Sequence, residues 1–108
     1  MQLRQLLVNI LHNALYAIQG YDDGEIELRA TQSEKHTVIT VTDNGCGIPQ
    51  TKIEDIFTPF YTTRQDGTGI GLSLCRQIMM LHGGDITVEG NPDSRYTSFA
   101  MTFPFYFM

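Results

Sequence analysis

Two glycine clusters, Gly45 with Gly47 and then Gly67, Gly69 and Gly71, bracket an aromatic stretch and constrain this chain more than any other feature. Glycine weakens helices and strands. It is placed where the backbone needs a positive φ or where something must approach the main chain closely. The first cluster, Asp43-Asn-Gly-Cys-Gly-Ile-Pro49, follows a Thr-, Val- and Ile-rich run at 37–42 that reads as a strand. The second, Gly67-Thr-Gly-Ile-Gly-Leu72, opens an apolar helical pattern that runs to Leu81. A glycine loop feeding a helix N-terminus turns backbone N–H groups and the positive end of the helix dipole towards an anion. A carboxylate at a strand end, Asp43, accepts hydrogen bonds and so recognises an amino group. An acceptor for a base and a cradle for phosphates together point to a nucleotide. The spacing alone leaves a second reading open: two glycine turns in an α/β domain, with Asp43 as a turn cap. Neither the dinucleotide-binding glycine pattern nor the Walker A sequence is present.

The rest of the chain supplies a scaffold. Residues 2–19 read as a helix, with Leu3, Leu7, Ile10 and Ala14 as its apolar stripe and Gly20 as its stop. Asn9 and Asn13 stand four apart on one face of that helix; alone, such a pair reads as solvated or capping. His12 points away from the stripe, towards solvent. Asp22-Asp-Gly24 marks a turn. Residues 25–31 alternate, with Ile26, Leu28 and Ala30 on one face, and predict a half-buried strand. Residues 32–36 predict a hairpin loop leading into the 37–42 strand. Pro49 opens a short helix over 51–55. Phe57, Phe60 and Tyr61 form an aromatic cluster whose simplest role is a core plug. The last helix spans 69–82, with Leu74, Cys75, Ile78 and Leu81 buried and Met80 opposite, and Gly83-Gly84 stops it. Ile86 and Val88 mark a further strand. Residues 97–103 mark another, with Phe99, Met101 and Phe103 on one face. The tail, Pro104 to Met108, is apolar for a terminus and is expected to pack on bare sheet or to self-associate.

Composition narrows the partners. A chain of 108 residues holds one domain with one core. A formal net charge of −5, with basic residues scattered, argues against nucleic acid or an anionic membrane. No window approaches the ~18 apolar residues of a membrane span, and no leader pattern precedes the first helix. The two cysteines, Cys46 and Cys75, have no zinc-type spacing and suit a reducing compartment, with the cytoplasm as the default.

The motifs resemble, in order, those of the ATP-binding catalytic domain of sensor histidine kinases, in the superfamily that includes gyrase B and MutL. Asn9-Ile-Leu-His-Asn13-Ala resembles the asparagine box and Asp43 to Pro49 the first glycine box. Phe57-Thr-Pro-Phe60-Tyr-Thr-Thr-Arg64 resembles the phenylalanine box and Gly67 to Leu72 the second glycine box. The wording Pro-Phe-Tyr-Thr-Thr-Arg with a short lid is similar to the nitrogen-regulation branch of these kinases.

The resemblance implies that the chain binds ATP with Mg²⁺. Asp43 would accept the adenine amino group, with Gly45, Gly47 and Ile48 beside the base. Asn13 would hold the metal through its amide oxygen. Thr63, Gly67, Thr68, Gly69, Ile70, Gly71 and Leu72 would line the phosphates under the lid. Phe57 would hinge the lid, and Thr97 (or Ser98) would meet the base through water. Arg64 is a candidate catalytic cation at the γ-phosphate. Asn9 stands where ATPase relatives place a water-activating glutamate; an amide takes no proton, which favours phosphoryl donation over hydrolysis.

Two positions depart from the pattern. Tyr16 replaces a common basic residue, and Tyr96 stands where glycine is frequent. The implied fold is an α/β (α+β) two-layer sandwich, the Bergerat ATP-binding fold: a mixed sheet with three helices on one face, lacking its first strand. The implied context is an excised catalytic domain, 1–108, without a phosphoacceptor. It would donate the γ-phosphoryl group to a histidine on a separate dimerisation domain, with a response regulator downstream. The parent would be a homodimer, cytoplasmic or anchored in the inner membrane by other segments. A non-catalytic ATP-binding switch and an ATP-hydrolysing clamp are the alternatives.

Overall fold

The computed structural model describes residues 2–53, 55–57 and 71–104. Helix α1 spans Gln2–Ala17, followed in order by strands β1 (Ile26–Gln32) and β2 (His36–Asp43), helix α2 (Gly71–Leu81), and strands β3 (Asp85–Asn91) and β4 (Tyr96–Pro104). The two long helices and four strands expected are present with ends moved by a few residues. Strand β2 reaches Asp43 itself, so the carboxylate belongs to the ladder. Gly20, at φ 87°, turns the chain after α1, and Gly83, at φ 79°, does so after α2. There the Gly84 N–H reaches back to the Met79 carbonyl at 2.9 Å, a helix end that the left-handed glycine makes possible.

Two parts of the expected architecture need correction. The sheet is antiparallel throughout, in the order β1-β2-β4-β3, rather than mixed. Strands β2 and β3 do run the same way across the α2 crossover, but β4 folds back and inserts between them, so no parallel pair forms among the described residues. Among the described residues there are two α-helices, not three. The expected 51–55 helix is instead a pair of single 3₁₀ turns, Gln50–Lys52 and Asp55–Phe57. Lys52 N–H bonds to the Pro49 carbonyl at 2.9 Å, a three-residue closure too short to propagate.

Both helices share one core with one face of the sheet. Register places Ile39, Val41 and Asp43 of β2 beside Met101, Phe99 and Thr97 of β4, and these beside Ile86, Val88 and Gly90 of β3. The helices close that face with Leu6, Ile10 and Ala14 from α1 and Cys75, Ile78 and Met79 from α2. Burying each large side chain contributes about 1.5–3 kcal/mol. The stripes are rotated from those expected. Leu6 is fully buried and Leu7 only partly. On α2, Met79 takes the inner position while Leu74 is exposed and Leu81 is 79% exposed. Leu72, Cys75, Ile78 and Met79 form a continuous line at helical spacing, and the unbranched Met79 fills what Leu81, in the last turn, does not reach. Phe99, Met101 and Phe103 are buried as expected.

Strand β1 corrects a further expectation. Leu28 lies on the helix-side face, opposite Val41, yet is 58% exposed. The face was read correctly but its cover was not, because β1 is an edge strand and the helices contact β2 and β3. The tail residues 105–108 lie outside the described residues.

Candidate nucleotide-binding site

The 43–47 turn is gripped by the chain itself. A side chain at Gly45 would overlap the Ala17 carbonyl, and one at Gly47 would come within 2.6 Å of the Asn91 carbonyl oxygen. Gly47 also sits at φ 76°, where a Cβ is strained. These glycines are therefore required by close packing between the end of α1 and the β3–β4 turn. Asn9, Asn13 and Ala17 follow at four-residue intervals along one row of α1. Contact at Ala17 puts the glycine turn at the foot of the asparagine row.

Asp43 is 4% exposed, and one carboxylate oxygen accepts the Gly45 N–H at 2.9 Å. Burial pushes its pKa up, with that hydrogen bond opposing. Among the described residues no donor reaches its second oxygen. Thr97, 3% exposed, lies opposite Asp43 on the same face. Ser98 belongs to the other face, where its hydroxyl meets Thr42 Oγ1 at 3.0 Å. Beyond Thr97, Gly90 leaves the sheet bare: a side chain there would press on the Ile48 backbone at 3.0 Å.

The asparagines divide their polar atoms differently. Asn13 Nδ2 donates to the Asn9 carbonyl at 3.0 Å, and among the described residues its Oδ1 has no partner. Asn9 Nδ2 donates to Cys75 Sγ at 3.6 Å, and Gln5 Nε2 to Asn9 Oδ1 at 3.5 Å. Burial pushes the Cys75 thiol up, the Asn9 amide opposing, so Cys75 is a packed, unreactive neighbour. His12 is exposed, as expected.

Among the described residues no group of His, Cys, Asp and Glu could hold a metal ion by itself. One neutral oxygen at Asn13, together with phosphate and water oxygens, is a donor set that fits a hard cation.

Ile48, Phe57 and Leu72 are partly buried and pack against the core. Phe57 also lies under the Arg76 guanidinium, 4.5 Å from its ring centre. Gly71 is the first residue of α2. Thr63, Arg64, Gly67, Thr68, Gly69 and Ile70 lie outside the described residues.

Two residues escaped the sequence reading. Asn44 accepts the Glu25 N–H at 2.7 Å and donates to the Asp23 carbonyl at 2.9 Å, tying the glycine turn to the loop before β1. Its signal was available, since asparagine beside glycine favours side-chain-bonded turns. Arg95 bonds Asp23 and the Gly45 carbonyl from the far end of the chain, a pairing that no local pattern reveals.

With this geometry in view, comparison with known proteins is informative. Residues 1–106 match the model of the family described as histidine kinase-, DNA gyrase B-, and HSP90-like ATPase. The C4-dicarboxylate transport sensor protein DctB of Rhizobium meliloti is 42% identical over 100 residues, covering 93% of this chain and 16% of that protein. The histidine-protein kinase AtoS of Escherichia coli is 44% identical over 91 residues, covering 83% and 15%. Sporulation kinase C of Bacillus subtilis is 38% identical over 88 residues, covering 82% and 20%. The chain thus spans between 15% and 20% of the length of these relatives. Among solved structures, the catalytic domain of histidine kinase ThkA superposes with a TM-score of 0.83 at 34% identity, covering 95% of this chain and 66% of that one. The mycobacterial sensor histidine kinase MprB gives 0.84 at 25% identity, covering 95% and 72%. The chain belongs to the histidine kinase-, DNA gyrase B- and HSP90-like ATPase family, and its relatives within it are sensor histidine kinases.

Proposed function

We propose that this domain binds Mg-ATP and donates the γ-phosphoryl group to a histidine on a separate dimerisation domain of a two-component sensor kinase. The observation that carries the reading is Asp43: a buried carboxylate at a strand end beside Thr97, with one oxygen bonded to the turn and the other meeting no donor among the described residues. An open acceptor in a buried setting suits the adenine amino group and rejects guanine, which presents a carbonyl there. The glycine turn and Ile48 flank the base. Thr97 supplies the water-mediated contact, on the face it shares with Asp43.

Asn13 holds Mg²⁺ through Oδ1, since its N–H is already committed to the helix. The metal supplies charge neutralisation on the phosphates. Residues 67–72, the second glycine box, would hold those phosphates where α2 begins, and the family resemblance adds Thr63, Arg64 and Phe57 to the nucleotide contacts. Asn9 cannot act as a base for water, and its amide is engaged with Cys75 and Gln5. Transfer to a positioned histidine is therefore favoured over hydrolysis. The parent acts as a homodimer with a response regulator downstream, on the cytoplasmic side.

Calorimetry with ADP and GDP in the presence of Mg²⁺ tests the reading. Adenine selectivity is expected; equal affinities would sink the assignment of Asp43.

A further inference from the structure

Gly45 is held on both sides. Its N–H goes to Asp43, and its carbonyl accepts the Arg95 Nε–H at 3.4 Å. The Arg95 guanidinium also donates to both oxygens of Asp23, at 2.9 and 3.2 Å, and lies 3.9 Å from the centre of the Tyr21 ring. One side chain from the β3–β4 turn thus joins the loop before β1 to the turn that carries the base acceptor. The bidentate pair and the ring stack define a direction as well as a contact, which a guanidinium does and an ammonium does not.

The backbone at this position runs against local preference. Arg95 sits at φ 53°, the one non-glycine residue with positive φ among those described. Glycine or asparagine adopts that conformation with less strain. Its ion pair with Asp23 is at the surface, where such pairs contribute little to stability. An arginine strained in backbone and placed in an exposed pair does little for the fold. Its Nε–H meets the carbonyl of Gly45, the residue whose N–H bonds the Asp43 carboxylate.

We propose that Arg95 is a positioning residue for base recognition, a clamp anchored on Asp23 and Tyr21 that holds the Gly45 carbonyl and so restrains the turn whose Gly45 N–H bonds Asp43. The proposal rests on the nucleotide reading of Asp43. Arg95→Gly separates clamp from fold, because glycine relaxes the backbone at φ 53° while removing the side chain. The thermal midpoint of this variant is expected to equal or exceed that of the parent. Its affinity for Mg-ADP is expected to fall about tenfold, the worth of one oriented hydrogen bond. Amide exchange at Gly45 should quicken. Arg95→Lys should restore affinity only in part, and Asp23→Ala should give an intermediate loss.

Parental ADP affinity together with unchanged Gly45 exchange in Arg95→Gly overturns the clamp. If the parent itself binds no ADP, the nucleotide reading fails, and Gly45 exchange alone then decides the clamp: faster exchange upholds it and unchanged exchange removes it.

Discussion

Replacing Asp43 by asparagine separates the carboxylate's two roles. In the parent, one oxygen takes the Gly45 N–H at 2.9 Å and the other meets no donor among the described residues. In Asp43→Asn the amide has two orientations. In one, Oδ1 keeps Gly45 and Nδ2 confronts the adenine amino group. In the other, Nδ2 confronts the Gly45 N–H. Either leaves a donor against a donor in a buried place, which costs about 1–3 kcal/mol. That is roughly a five- to 150-fold weakening for ADP at ~1.4 kcal/mol per decade. Guanine presents a carbonyl to the same position, so GDP should gain relative to ADP.

Without ligand the sign reverses. Burial raises the Asp43 pKa, so the folded state holds its proton to higher pH than the unfolded chain does. Stability is therefore lost as pH rises from the unfolded to the folded pKa, and it stays lower above that. The asparagine variant carries no such cost. Its ligand-free melting temperature should exceed the parent's at pH 7, and the gap should close as pH falls through the folded pKa. Calorimetric titrations with both nucleotides, alongside melts at several pH values, make the test. Parental ADP affinity with no change in ADP-to-GDP preference would refute the reasoning.

Three further predictions probe the metal and the packing. Asn13→Ala should leave the unfolding free energy within about 1 kcal/mol of the parent's while weakening ADP binding chiefly in the presence of Mg²⁺; identical metal dependence, read by titration with and without Mg²⁺, would make Asn13 structural only. Leu28→Thr, on the uncovered edge, should change unfolding free energy by no more than about 0.5 kcal/mol. Ile10→Ala, fully buried, should cost about 2–5 kcal/mol in denaturant unfolding.

The sequence disclosed most where physics is local. Strand alternation placed Phe99, Met101 and Phe103 on the buried face, and a strand ending near Asp43 was legible from the Thr- and Val-rich run before it. Glycines after each helix were read correctly as stops. What local pattern could not carry was the placement of one element on another. The rotation of α2 that buries Met79 and exposes Leu81 depends on α1 and β3, and the exposure of Leu28 depends on where the helices end across the sheet. The insertion of β4 between β2 and β3 is likewise a matter of tertiary pairing. At the candidate site, Asn9, Asn13 and Asp43 were named from their motifs. The cause of Gly45 was not, since it lies in the approach of Ala17. Arg95 acts on Gly45 from another turn and left no trace in spacing.

The central claim is that this chain grips the phosphoryl donor and leaves the nucleophile to another domain. The direct measurement incubates it with γ-labelled ATP and Mg²⁺, alone and with a helical domain that presents a histidine. Alone, label should stay off the protein and phosphate release should remain near background, because Asn9 cannot activate water. With the helical domain, label should be found on that partner's histidine. Robust phosphate release by the pure chain, abolished by Asn9→Ala, would contradict the account and make the chain an ATP-hydrolysing clamp.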